Sequence, residues 1–343
     1  MGIGLDLGAT HFRTLRRDQH QLIARKTPTA YTAVQASADH AHLLQRAHLQ
    51  AAPADHALLV AGTEAELVAM TMNQPLVPLL MDGRLPANDP IARQVAAERV
   101  ASILEMHADQ PVPICTAVLP GDAPQGEPTR EFFRQLISLH GCRPRFISAT
   151  QAIALAELGN SSFAGVILSF GATGASLALM ERGEIQAFVD VPCGGDWIDR
   201  RLAQELRQFT FDRDGHRYLD TVAVSRWKQA PDRSLAADIN TDNQLLRKTY
   251  AEVLTALLAR FRRTVIREGV NGPRKTPLSL ICHGGCTQIS GFLPQWEQFW
   301  KQAEIDLVVA PARLARDDQW TIARGCLIHS ELAHDAQNNR RAA

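Results

Sequence analysis

The chain opens on an alternation of apolar and small residues, Gly2 to Leu7 (GIGLDL), that breaks at Gly8-Ala9-Thr10 and resumes at Phe12. Apolar residues at every second position predict strands, so residues 2–15 read as a β-hairpin with Asp6 just before its tip. A third strand follows over 21–27, and buried strands are expected at 57–61, 113–119 and, shorter, 145–148. Residues 75–80 read as extended, ending in the Asp82-Gly83 turn. Helical spacing of Ile91, Val95, Ala96, Val100, Ile103 and Leu104 predicts a helix over 90–107. Further helices are expected at 39–50, 65–71, 129–140 (capped by Thr129) and 150–158.

The pattern then restarts. After Gly159-Asn160-Ser161-Ser162 come three strand-like runs, 165–169, 174–181 and 185–189, and a helix over 197–209. Residues 210–236 are polar and irregular. Beyond them lie a long helix (242–268), a strand (279–282), a helix (292–302), a strand (305–310) and a last helix (320–333). Alternating strands and helices predict an α/β protein with mostly parallel sheets. The repetition predicts two related lobes, 1–158 and 159–333, with a polar tail at 334–343.

Composition narrows the function. At 343 residues the chain suits two lobes or one large α/β domain, and 45% hydrophobic with 21% charged residues is ordinary globular composition. Lys+Arg and Asp+Glu balance at 36 each, so no net field recruits nucleic acid or an anionic membrane. The sequence opens directly on the first strand, so no cleavable leader is expected, and no apolar run approaches the roughly 20 residues of a transmembrane segment. A cytoplasmic protein is expected. The six cysteines are scattered, and Cys282 and Cys286 lack two further zinc ligands, which favours reduced thiols.

Five stretches carry candidate chemistry. At the first tip, Gly8 lets backbone N–H groups turn toward an anion, Thr10 adds a hydroxyl, and Asp6 suits a hydrated Mg²⁺ beside phosphates. The second, Ser169-Phe170-Gly171-Ala172-Thr173-Gly174, repeats that logic between two strands. In the third, Gly194-Gly195 makes a tight turn and Asp196 is placed to cap the helix after it. In the fourth, Gly284-Gly285-Cys286 ends a buried strand, where glycines let the backbone pack against a flat ring or a phosphate. The fifth is 321–332, with Ala323 and Gly325 on one helical face. Taken singly, each hairpin also reads as a plain hairpin.

Together, and in this order, these stretches resemble those of the actin-like ATPase superfamily, with MreB and the DnaK-type chaperones as the nearest shapes. Asp6 to Thr10 looks like its first phosphate loop, 165–179 its second, 193–206 the Gly-Gly-acid helix, 278–292 the adenosine loop and 321–332 the last hinge helix. The resemblance implies a two-lobed fold of duplicated ribonuclease-H-like domains with a nucleotide cleft between the lobes. It implies ATP or ADP with Mg²⁺ as ligands, held by Asp6, Gly8, Ala9, Thr10, Arg13, Gly171, Ala172, Thr173, Gly194, Gly195, Asp196, Gly284, Gly285 and Cys286. Gln151 resembles the glutamine that orients the attacking water in actin, which makes Gln151 and Asp6 the catalytic candidates.

Two departures bear on rate. Ser169 stands where the family places an acid, and no Lys occurs between Lys26 and Lys228, so a chaperone-type lysine at the γ-phosphate is lacking unless Arg13 serves. The resemblance therefore implies a slow ATPase or nucleotide-gated switch of the MreB-like scaffold or filament type, acting by self-association. A DnaK-like chaperone or reactivase working on a partner protein is the alternative. A sugar or acetate-type kinase fits less well, because residues 148–156 offer no acid to deprotonate an acceptor hydroxyl.

Overall fold

The computed structural model describes residues 2–19, 21–104, 112–122, 127–211, 215–236, 241–270, 276–317 and 319–342. The chain packs as two compact units, Met1–Ser148 with Ile322–Ala343, and Ala149–Thr321.

The first unit begins with β1 (Gly2–Leu7), β2 (His11–Asp18), β3 (Gln21–Pro28) and β4 (Ala30–Gln35). It continues with α1 (Ala38–Arg46), β5 (Ala52–Ala54), β6 (Ala57–Ala61), α2 (Thr63–Thr71) and β7 (Leu76–Pro78). Then come α3 (Pro90–Ile103), β8 (Ile114–Val118), α4 (Pro128–Leu139) and β9 (Arg143–Phe146). Its main sheet has the order β3-β2-β1-β8-β9, and β4 to β7 form a second sheet, β5-β6-β4-β7. β1 is central, which is why all six of its residues are buried, Asp6 included. Its core joins Ile3, Leu5 and Leu7 to Phe12 and Phe133, whose rings meet edge-on at 5.7 Å.

The second unit comprises α5 (Ala149–Glu157), β10 (Gly165–Phe170), β11 (Ala175–Glu181), β12 (Glu184–Val191) and α6 (Gly195–Glu205). After these lie β13 (Phe209–Phe211), β14 (Arg217–Leu219), α7 (Thr221–Lys228), α8 (Thr241–Arg267), β15 (Ser279–His283), α9 (Phe292–Gln302) and β16 (Arg313–Leu314). The last helix, α10 (Thr321–Ala342), returns to the first unit. The main sheet here runs β12-β11-β10-β15-β16. In both sheets the first two pairings are antiparallel and the last two parallel, so the strand order and sense are duplicated.

Several boundaries differ from the sequence reading. The division falls at 148/149 and not at 158/159, because α5 packs on β10 and β11. α10 joins the first unit because Ala323, one of its small residues, lies against β1 at Gly4. It also runs through the stretch read as a tail. α4 is capped by Glu127, whose side chain accepts from Arg130 N, and not by Thr129; Pro128, which has no N–H to satisfy, takes the first turn. Residues 305–310 form no strand and meet the sheet only in the bridge between Leu278 and Val309, while β16 supplies the edge. α1 ends at Arg46, and β4 lies in a stretch left unassigned. The irregular stretch 210–236 contains β14 and α7, and β13 begins at Phe209. The helix predicted over 90–107 ends at Ile103; residues 105–107 of it lie outside the described residues.

Candidate functional site

The first unit presents the β1–β2 turn. Asp6 and Arg13 are directly opposed across the two strands, and Arg13 Nη1 donates to Asp6 Oδ2 at 3.0 Å. The pair is largely withdrawn from water, with Asp6 5% exposed. The loop is pinned from behind by Thr29, whose N–H donates to Thr10 O at 3.1 Å and whose hydroxyl donates to Ala9 O. Gly8 and Ala9 are half-buried and Thr10 is exposed. Next to Thr10, burial and then the nearby Lys26 and Arg13 cations pull the His11 imidazole down to about 4. A neutral imidazole and two cations therefore surround this turn.

In the second unit three of the predicted stretches meet. The turn after β10 closes with Gly171 N donating to Gly174 O at 3.0 Å. Gly195 N donates to Gly171 O at 3.0 Å and Asp196 N to Ala172 O at 2.8 Å, which fastens the start of α6 onto that turn. Contact is so close that a Cβ on Gly194 would lie 2.3 Å from Ala172 O. The Gly284 loop closes the other side. At Gly284 φ is +110°, and a Cβ there would lie 2.3 Å from Phe170 O, so a side chain is excluded by both strain and contact. Cys286 Sγ donates to Gly171 O at 3.4 Å, and Tyr250 hydrogen-bonds to the same sulfur. Burial pushes the Cys286 thiol up to about 11, which keeps it protonated at neutral pH. Thr173 is half-buried on the same turn.

Asp196 is not the cap of α6. Gly194 holds that position and offers no side chain, while Asp196 lies in the first turn, bonded through its own N–H to Ala172. Gln151 lies half-buried in the first turn of α5 and has interaction partners. Ser169 occupies the place in β10 that Asp6 holds in β1, next to last before the turn. Its cross-strand neighbours are Ser176 and His283, where Asp6 has Arg13 and Val118.

One residue escaped the sequence reading. Lys228, at the end of α7, ion-pairs with Asp199 of α6 at 2.6 Å, both side chains being about nine-tenths buried. Its ammonium is 3.6 Å from where a Cβ of Gly195 would be. Burial raises Asp199 above the usual carboxylate range, and Lys228 opposes that shift. No local motif marks Lys228, because only the packing of α7 on α6 brings it to the glycine turn.

Asp6 is the only acid at either hairpin tip. One carboxylate suits a Mg²⁺ ion that keeps its waters and takes further ligands from nucleotide phosphates, and it does not suit a cage built from protein alone. Among the described residues no group of three or more His, Cys, Asp or Glu side chains has metal-binding geometry. The residues thus fit a metal that arrives with a nucleotide.

Similarity to known structures follows the same lines. MreB5 of Spiroplasma citri bound to AMPPNP superposes with a TM-score of 0.68 at 14% identity over 98% of both chains. The MamK double helical filament gives 0.65 at 14% identity, over 96% of this chain and 98% of that one. The ethanolamine utilization protein EutJ from Carboxydothermus hydrogenoformans gives 0.51 at 14% identity, over 95% and 89%. No curated protein matches the sequence. These likenesses establish the actin-like fold expected from the five stretches. The Volactin family model matches residues 1–330, and the chain therefore belongs to the Volactin family.

Proposed function

We propose that the chain binds ATP or ADP with Mg²⁺ through its hairpin turns and glycine junctions, and acts as a slow ATPase or nucleotide-gated switch that self-associates. The observation that carries this reading is the junction of Gly171–Gly174, Gly194–Asp196 and Gly284–Cys286 in the second unit, matched by the Asp6–Thr10 turn in the first. Close backbone packing requires Gly194 and Gly284, whereas Gly171 and Gly285 have room for a Cβ, so packing does not account for those two glycines. Turn N–H groups outside these backbone hydrogen bonds would donate to phosphate oxygens, with Lys228 beside the glycine turn of the second unit and Arg13 beside the turn of the first. Bound Mg²⁺ would neutralise phosphate charge, with Asp6 ordering its water shell. Asp6 is engaged by Arg13 in this structure, so metal binding requires Arg13 to share or release that carboxylate.

The fold likeness to MreB5 solved with AMPPNP and to the MamK filament agrees with nucleotide binding and self-association. Calorimetric titration with ATP and ADP, each with Mg²⁺ and with chelator, tests the binding. Binding is expected in both nucleotide states. Asp6→Asn is expected to remove the Mg²⁺-dependent part while leaving the chelator arm unchanged. No heat or protection at millimolar nucleotide would end the proposal.

A further inference from the structure

We infer that the outward face of α2 in one copy seats in the groove between α8 and α9 of a second copy. The inference rests on the self-association reading above and gives it a surface. On α2, Leu67 and Met70 are 61% and 62% exposed, and their i, i+3 spacing puts them on one face. Glu66 and Glu64 flank that face on its two sides, and no basic residue occurs in the helix. α2 thus has an apolar ridge with an acidic border.

The second unit carries the converse. A groove of about 490 Å³ between α8 and α9 is lined by the apolar Leu258, Ala259, Ile266 and Phe299, with Arg262 and Arg263 beside them. Ile266 is 57% exposed. Arg262 reaches Glu304 only at 3.6 Å across exposed side chains, a contact that releases its guanidinium at little cost. A helix presenting two apolar side chains at i, i+3 between carboxylates matches an apolar groove edged by guanidinium groups.

The two surfaces are different and lie on different units of the chain. Their contact is heterologous, so any assembly that does not close into a ring leaves one groove and one helix open at its ends. An acidic amphipathic helix of another protein would fit the groove by the same chemistry. A second copy is the occupant argued here, because the chain itself carries the complementary face.

Charge reversal tests this. Glu64→Arg/Glu66→Arg and Arg262→Glu/Arg263→Glu are each expected to weaken association about tenfold or more by analytical ultracentrifugation with ATP or ADP. The chain bearing all four substitutions is expected to regain it. Thermal melts and nucleotide titration of each variant verify folding and an intact site. If wild type associates and the reversals leave it unchanged, or the four-fold variant stays monomeric while folded, the interface is wrong and self-association stands. If wild type binds nucleotide but remains monomeric at every concentration, the interface and self-association both fall, and the groove belongs to another partner.

Discussion

At the scale of single residues, His11 reports on the first turn. Its folded pKa of about 4 lies below the ordinary 6.5, because burial and the Lys26 and Arg13 cations disfavour the imidazolium. Between those values the unfolded chain binds a proton that the folded chain refuses. The contribution to stability is therefore full above pH 6.5 and lost progressively as the pH falls toward 4. Denaturant unfolding from pH 7 to pH 4.5 is expected to show this loss, and His11→Gln is expected to flatten it. A phosphate at the turn adds negative charge beside the ring, so ATP is expected to raise the His11 pKa in an NMR titration. An unshifted His11 in the free protein would remove the electrostatic picture of this turn.

Between elements, the informative contact is α6 with α7. The Lys228–Asp199 pair is about nine-tenths buried on both sides, so cutting one partner leaves a charge that water does not reach. Lys228→Met is expected to destabilise the protein by about 3–5 kcal/mol, and Lys228→Met with Asp199→Asn by much less. Urea unfolding decides it: a single variant as mild as the double would show that Asp199 finds another partner. The same pair ties α7, a short helix with a single buried residue, Val224, to the glycine turn. Loss of nucleotide affinity in the double variant beyond the loss of stability would mark Lys228 as part of the site.

Across the whole molecule, duplication makes the two hairpins comparable position by position. Asp6 and Ser169 occupy matching places in β1 and β10, yet one is an ion-paired acid and the other a neutral hydroxyl. A proposed ATPase with Gln151 as its water-orienting group and one acid at the metal is expected to turn over below ~1 s⁻¹, the lower end of the range of ordinary enzymes. Ser169→Asp places a carboxylate across from His283, at the position where the family resemblance implies an acid. It is expected to raise steady-state phosphate release about tenfold or more. Wild-type turnover of several per second, or no gain from Ser169→Asp, would refute this account of the rate.

The amino-acid sequence by itself determined the duplicated strand pattern and the positions of the glycine turns. Both are local properties: alternation marks a strand, and a Gly-rich break between apolar runs marks a turn whatever lies around it. That is why the hairpins at 2–15 and 165–181 were legible, and why their order pointed to the actin-like fold. Tertiary structure decided what depends on neighbours distant along the chain. It assigned α5 and α10 to their units, because the sheet a helix packs on is set by strands distant from it in the chain. It put Glu127 rather than Thr129 at the head of α4, since Thr129 is buried and receives Leu85 N–H at 3.1 Å. It paired Asp6 with Arg13 across two strands. And it carried Lys228, 32 residues beyond Asp196 in the chain (228 − 196), to the glycine turn through helix packing that no motif encodes.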